Sequence, residues 1–149
     1  MRKTYFLIRV LGIYLFFISS GFTAKSNYFD KGKVLFDQKK FEKSKTFFER
    51  DIVFNPLSEK SYLYLAKIFK KKENEEEEEI NLNNVLLLNP QNDEALYMLA
   101  ILKIHQSDYK QAKKLIDTFI LTCKSFCSKK REINEKLEKI NPDNAKSNN

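Results

Sequence analysis

Two stretches of this chain end in nearly the same way. Phe41-x-x-Ser-x-x-x-Phe-x-x-Asp-Ile-Val-Phe-Asn-Pro56 is followed by Glu75-x-x-Glu-x-x-x-Leu-x-x-Val-Leu-Leu-Leu-Asn-Pro90, which sets Pro90 34 residues after Pro56. A period in this range is the signature of a stacked supersecondary unit, in which each copy buries its apolar face only against its neighbours. The two prolines fix the frame. Repeat one runs over residues 25–58, repeat two over 59–92 and repeat three over 93–126.

The unit is helical. Three Gly and three Pro in 149 residues are too few for a sandwich or barrel rich in turns, and Leu, Lys, Glu and Ile fill the segments between them. No stretch sustains the period-two alternation of a half-buried strand. The fold class expected is therefore all-α: antiparallel helix pairs stacked about three deep into an α-solenoid. A final segment, residues 127–141, places Ile133, Leu137 and Ile140 at helical spacing among charged residues. It suits a capping helix that covers the last apolar face of the stack. Residues 142–149 read as a disordered polar tail after Pro142.

Within the frame, Tyr28, Gly32, Leu35, Phe41, Phe48 and Pro56 of repeat one correspond to Tyr62, Leu65, Ala66, Phe69, Leu82 and Pro90 of repeat two. Repeat three offers Leu96, Leu99, Ala100, Tyr109, Ala112 and Ile116. This pattern resembles the tetratricopeptide repeat, and the resemblance covers about two thirds of the chain. Gly32, Ala66 and Ala100 are small where the two helices of a pair must approach closely, and the aromatics fill the space between layers. The chain departs from the pattern at Lys31, Ser44, Glu78 and Lys124. Glu78 weakens the second helix of repeat two, whose start is expected to be frayed or shifted.

The resemblance implies a concave groove lined by the first helix of each repeat. The groove residues would be Phe29, Lys33 and Phe36, then Leu63, Lys67, Lys70 and Lys71, then Tyr97, Ile101, Ile104 and His105. Such a surface is apolar with a basic middle, and its partner would be a protein segment carrying acidic and bulky apolar residues. The alternative is that several of these apolar residues pack against neighbouring helices, the cap included. The clamp by which some members hold the C-terminal carboxylate of chaperones is not expected, because its places are taken here by Phe29, Lys33, Tyr64, Glu94 and Met98.

Charge excludes little. The formal charge is +7, but Arg2, Lys3 and Arg9 lie in the first 24 residues, which leaves 24 basic against 20 acidic side chains in the rest. The lysines are dispersed rather than gathered into the stripe a nucleic-acid binder shows, so no nucleic-acid partner is expected. Lys70-Lys71-Lys72 closes one helix and the glutamates from Glu75 to Glu79 open the next, as the helix dipole favours. The functional alternative is a calcium site or a site for a polybasic partner, but adjacent carboxylates on a helix do not converge as calcium ligands in a loop do.

Residues 1–24 carry Met1-Arg2-Lys3, an apolar run from Tyr5 to Ile18 broken at Arg9, and small residues from Ser19 to Gly21. This reads as a secretory signal peptide, with an uncleaved membrane anchor over residues 5–22 and a buried helix as alternatives. The protein is expected to be exported, periplasmic or secreted, with membrane contact only through this segment if it is retained. Cys123 and Cys127, four residues apart, are a disulfide candidate in an exported chain, with two reduced core thiols as the alternative. Redox, haem and zinc motifs fail on spacing or ligand count. No phosphate loop, nucleophile elbow or metalloprotease motif occurs, and His105 has no evident partner. Catalytic residues, metals and cofactors are thus not expected, and two functions remain: a peptide-holding adaptor or assembly factor, and a self-associating structural module. A third, an enzyme accessory subunit in cytochrome or outer-membrane assembly, is implied by the family resemblance alone.

Overall fold

The computed structural model describes residues 27–140. The expected leader over 1–24, the first two residues of repeat one, the last residue of the expected cap (141) and the tail from 142 lie outside them. Among the described residues seven α-helices and a short turn follow in order: α1 (Tyr28–Asp37), α2 (Phe41–Phe54), α3 (Glu59–Lys71), α4 (Glu75–Leu88), α5 (Asp93–His105), α6 (Tyr109–Thr122), a 3-10 turn (Cys127–Lys129) and α7 (Lys130–Ile140). No strand occurs among the described residues. The chain is an all-α stack of three helix pairs with a terminal helix. That helix begins at Lys130 rather than at the expected 127, because the turn at Cys127–Lys129 must first redirect the chain.

The repeat extends to backbone conformation. Lys39, Glu73 and Ser107 hold φ of 59, 57 and 60°, and each lies one period from the next. At each, the first helix of a pair ends in the same two hydrogen bonds. Lys39 N–H donates to Phe36 O at 2.8 Å and Lys40 N–H to Leu35 O at 2.9 Å, and the corresponding pairs recur from Glu73 and Asn74 and from Ser107 and Asp108. This left-handed closure satisfies carbonyls at the helix end and turns the chain back along itself. The second helices of repeats two and three start on caps. Asn74 accepts from Glu77 N–H at 3.1 Å and Asp108 accepts from Gln111 N–H at 3.1 Å. The cap on Asn74 explains why α4 starts cleanly at Glu75 and is not frayed.

The core is three clusters in sequence along the stack. Phe48, Leu65, Ile68 and Phe69 join α2 to α3. Ala66, Leu82, Val85, Ala95, Met98, Leu99 and Leu102 join α3, α4 and α5. Leu96, Ala100, Ile116, Phe119 and Ile133 join α5, α6 and the cap. Within the first pair the helices approach closely enough that a Cβ on Gly32 would stand 2.8 Å from the Phe48 ring. Ser44, where the resemblance expects Ala, donates its hydroxyl to the Gly32 carbonyl at 2.8 Å, so the departure adds a buried hydrogen bond at that crossing.

Carboxylates fasten each junction to the next. Asp51 accepts from Ser58 and Ser61, both at 2.6 Å. Glu59 accepts from the Asn89 amide at 3.1 Å and also from the Asn92 amide. Asp93, one period after Glu59, accepts backbone N–H groups of Lys124, Ser125 and Phe126 at 2.9, 2.6 and 2.8 Å.

Candidate functional site

Side-chain contacts place the first helices and the cap in one row, α1–α3–α5–α7. Tyr64 of α3 takes the edges of Phe29 and Phe36 of α1, with ring centroids 5.6 and 5.0 Å away. Lys67 of α3 reaches Glu94 of α5 at 2.9 Å. Tyr97 of α5 donates to Glu132 of α7 at 2.7 Å. The row is the face expected to line a groove.

The expected groove residues divide into two kinds. Lys33, Lys70, Lys71 and His105 are exposed, while Phe29, Phe36, Leu63, Lys67, Tyr97, Ile101 and Ile104 are half-buried. Phe29 and Phe36 pack on the first cluster, Leu63 on the second, and Ile101 and Ile104 on the third. Tyr97 serves both the second and third clusters, and its ring lies 5.4 Å from that of Phe126 and 6.0 Å from that of Phe119. Burial and the Glu132 carboxylate both push its phenol far above the usual range. These side chains are thus partly exposed and partly packed on the core.

Much of the basic middle has partners within the chain. Lys33 pairs with Asp37 at 3.1 Å, Lys67 lies 4.9 Å from the centre of the Tyr64 ring as well as on Glu94, and Lys71 lies 5.3 Å over Phe41. Lys70 instead opens onto a cleft of about 610 Å³ at the junction of repeats two and three, whose other walls are Glu73, Glu75, Glu78, Ile101, Leu102 and His105. His105 Nδ1 stands 2.6 Å from Glu75, a partner absent from its sequence neighbourhood. Glu78 is 4% exposed, and burial pushes its carboxyl upward against the opposing pull of Lys70. The cleft brings together Lys70, Ile101 and His105 from the expected set.

Sequence reasoning set Glu75 and Glu78 aside as helix-end electrostatics, and missed Glu73 and Leu102 altogether. It also gave no role to Lys103, which is buried and bonded to Glu79 and to the Gln106 side-chain carbonyl. The signal for Glu78 was present: a carboxylate at a position where the repeat pattern calls for a small apolar residue.

Cys123 and Cys127 form a disulfide, with Cα atoms 5.4 Å apart. Cys123 closes α6 and Cys127 opens the turn into the cap. No group of His, Cys, Asp or Glu suited to holding a metal occurs among the described residues. No helix among them is long and apolar enough to cross a membrane.

No family model and no curated protein matches the sequence. Solved structures do. The first tetratricopeptide repeat domain of Spaghetti (RPAP3), bound to the HSP90 peptide SRMEEVD, superposes with a TM-score of 0.65 at 18% identity, covering 76% of this chain and 86% of that one. The type III secretion chaperone SycD of Yersinia enterocolitica, in complex with a peptide of the translocator YopD, gives 0.67 at 10% identity over 76% and 89%. The Sgt2 tetratricopeptide repeat domain of Aspergillus fumigatus gives 0.63 at 14% over 85% of each chain. With three helix pairs on one period, a shared turn and a terminal helix, the chain has the tetratricopeptide repeat fold.

Proposed function

We propose that this chain is a protein-interaction module, an exported adaptor or assembly factor that holds a peptide or helix of a partner against the row α1–α3–α5–α7. The observation that carries the reading is the half-buried run of Phe29, Phe36, Leu63, Tyr97, Ile101 and Ile104 along that row. Rings and branched side chains held rigid from behind lose little freedom on contact, which is what an anchor surface needs. Two of the similar structures hold peptides, one from HSP90 and one from YopD. Apolar contact would supply most of the affinity. Lys33 and Lys71 would select acidic residues in the partner's flanks and speed encounter. The leader-like residues 1–24 support export.

The test is to pan a displayed random peptide library on the full chain and map an enriched peptide by amide chemical shifts. Perturbations on α1, α3 and α5 at the residues of the row are expected. Perturbations confined to α2, α4 and α6 would overturn the groove.

One observation favours self-association instead. Val53, Leu87 and Leu121 are 76, 79 and 85% exposed and stand one period apart on the second helices, a repeated apolar column outside the row. Light scattering on the full chain separates the two readings. A monomer favours the adaptor, and a dimer that Leu87→Glu with Leu121→Glu dissolves favours the structural module.

A further inference from the structure

The cleft between repeats two and three has a charge opposite to the rest of the row. Its walls carry three carboxylates, Glu73, Glu75 and Glu78, against one lysine, Lys70, with His105 already on Glu75. An acidic rim alone is ordinary helix-end electrostatics. Glu78 is different, because it is 96% withdrawn from solvent and, among the described residues, no hydrogen bond or ion pair reaches its carboxylate. No polar side-chain atom of the described residues is both sealed and unbonded, so its oxygens open on the cleft. A carboxylate held this way is expensive to ionise and gains most from a cation brought to it. The apolar wall made by Ile101 and Leu102 stands beside it, and this is the combination that the aliphatic stem and charged head of a long basic side chain fill. The volume lies within the range of ordinary ligand pockets.

We infer that this cleft is a specificity pocket for an arginine or lysine side chain of the partner segment, with Glu78 at its floor, Glu75 and Glu73 at its rim and Ile101 and Leu102 along the stem. The inference rests on the groove reading and deepens it. The partner would be a segment with apolar anchors, acidic residues toward α1 and a basic residue over the junction of α3, α4 and α5. Lys70, whose field now reaches Glu78, is the group the incoming cation displaces.

The probe is Nα-acetyl-arginine amide, titrated into the full chain and followed by amide shifts, with Nα-acetyl-glutamate amide and Nα-acetyl-leucine amide as comparisons. Saturable shifts at Ile101, Leu102 and His105 with the arginine probe alone support the pocket. Glu78→Gln should weaken that binding by about tenfold, the loss of a hydrogen bond to a charged group. Glu73→Lys, on the exposed rim, should weaken it by a smaller factor and guards against repacking in the first variant. Equal binding of the arginine and leucine probes, or arginine binding unchanged in both variants, overturns the pocket. Peptides selected on the row that carry no basic residue overturn it while leaving the groove standing. Arginine binding at the cleft with no peptide selected on the row leaves the pocket standing and removes the groove.

Discussion

The Tyr97 hydroxyl donates to Glu132 across 2.7 Å, joining the first helix of the last repeat to the cap. Lys129 on the other side of Glu132 and Tyr97 itself hold that carboxyl below its usual range, so the acceptor is ionised wherever the protein is folded near neutrality. The Tyr97 ring also packs on Phe119 and Phe126, with centroids 6.0 and 5.4 Å away.

Tyr97→Phe keeps both ring contacts and removes only the hydrogen bond. It should lower unfolding free energy by about 1 kcal/mol, whereas Tyr97→Ala, which also removes a half-buried ring, should cost about 2–3 kcal/mol. Urea denaturation followed by circular dichroism measures both. Equal losses in the two variants would mean that the ring contributes nothing to holding the cap.

Gly32 has no room for a side chain. A Cβ there meets the fully buried Phe48 ring at 2.8 Å, so Gly32→Leu should overpack the α1/α2 crossing and cost about 1–3 kcal/mol. Ala100→Leu should do the same in the third repeat, where Ala100 is fully enclosed. Thermal melts unchanged in both variants would contradict the packing described.

The frame, the helix pairs and these small residues were legible because they recur at a fixed spacing, and a solenoid writes its packing in that spacing. The cleft was not. Glu75 to Glu79 look from sequence like charges placed for the helix dipole, and only the approach of α5 brings Ile101, Leu102 and His105 over them. Lys103 and Glu79 are 24 residues apart, and nothing in a periodic pattern pairs particular charges across neighbouring helices. The turns were hidden for another reason. Their left-handed residues are Lys39, Glu73 and Ser107, where the usual signal is glycine.

That choice of residue gives a prediction. A side chain in the left-handed region is strained by about 1 kcal/mol, and glycine relieves this at a smaller entropic loss in the unfolded chain. Ser107→Gly and Glu73→Gly should therefore each stabilise by about 0.5 kcal/mol. Glu73→Gly also removes a wall of the cleft, so Ser107→Gly is the cleaner measurement, read as a small rise in melting temperature. A fall of similar size in Ser107→Gly would mean that the turn is not held at that φ in solution.

The disulfide ties the end of α6 to the start of the cap. In the loop-entropy account a cross-link this short contributes about 2 kcal/mol. Reduction should lower stability by that order, and protein purified without reductant should resist alkylation until reductant is added. Intact mass under denaturing conditions decides the second point. Two thiols alkylated without reductant would mean that the bridge does not form in the cell.

The same five-residue loop gives the cap a dependence on acid. Burial alone would raise the Asp93 carboxyl, but the backbone N–H groups of Phe126, Lys124 and Ser125 outweigh it and hold the group below its ordinary value of 3.8. A carboxyl depressed in the folded state contributes stability that is complete above its unfolded value and disappears as pH falls through its folded value. The attachment of the cap should therefore be full at neutral pH, weaken as the medium drops below about pH 4, and be lost under more acid conditions. Asp93→Asn should remove this acid dependence while costing stability at pH 7, because an amide is the weaker acceptor for three N–H groups. Amide exchange at Lys124, Ser125 and Phe126 against pH reports the contact directly. Protection that is the same in both proteins from pH 7 down to pH 3 would show that the Asp93 carboxylate is not what holds the loop.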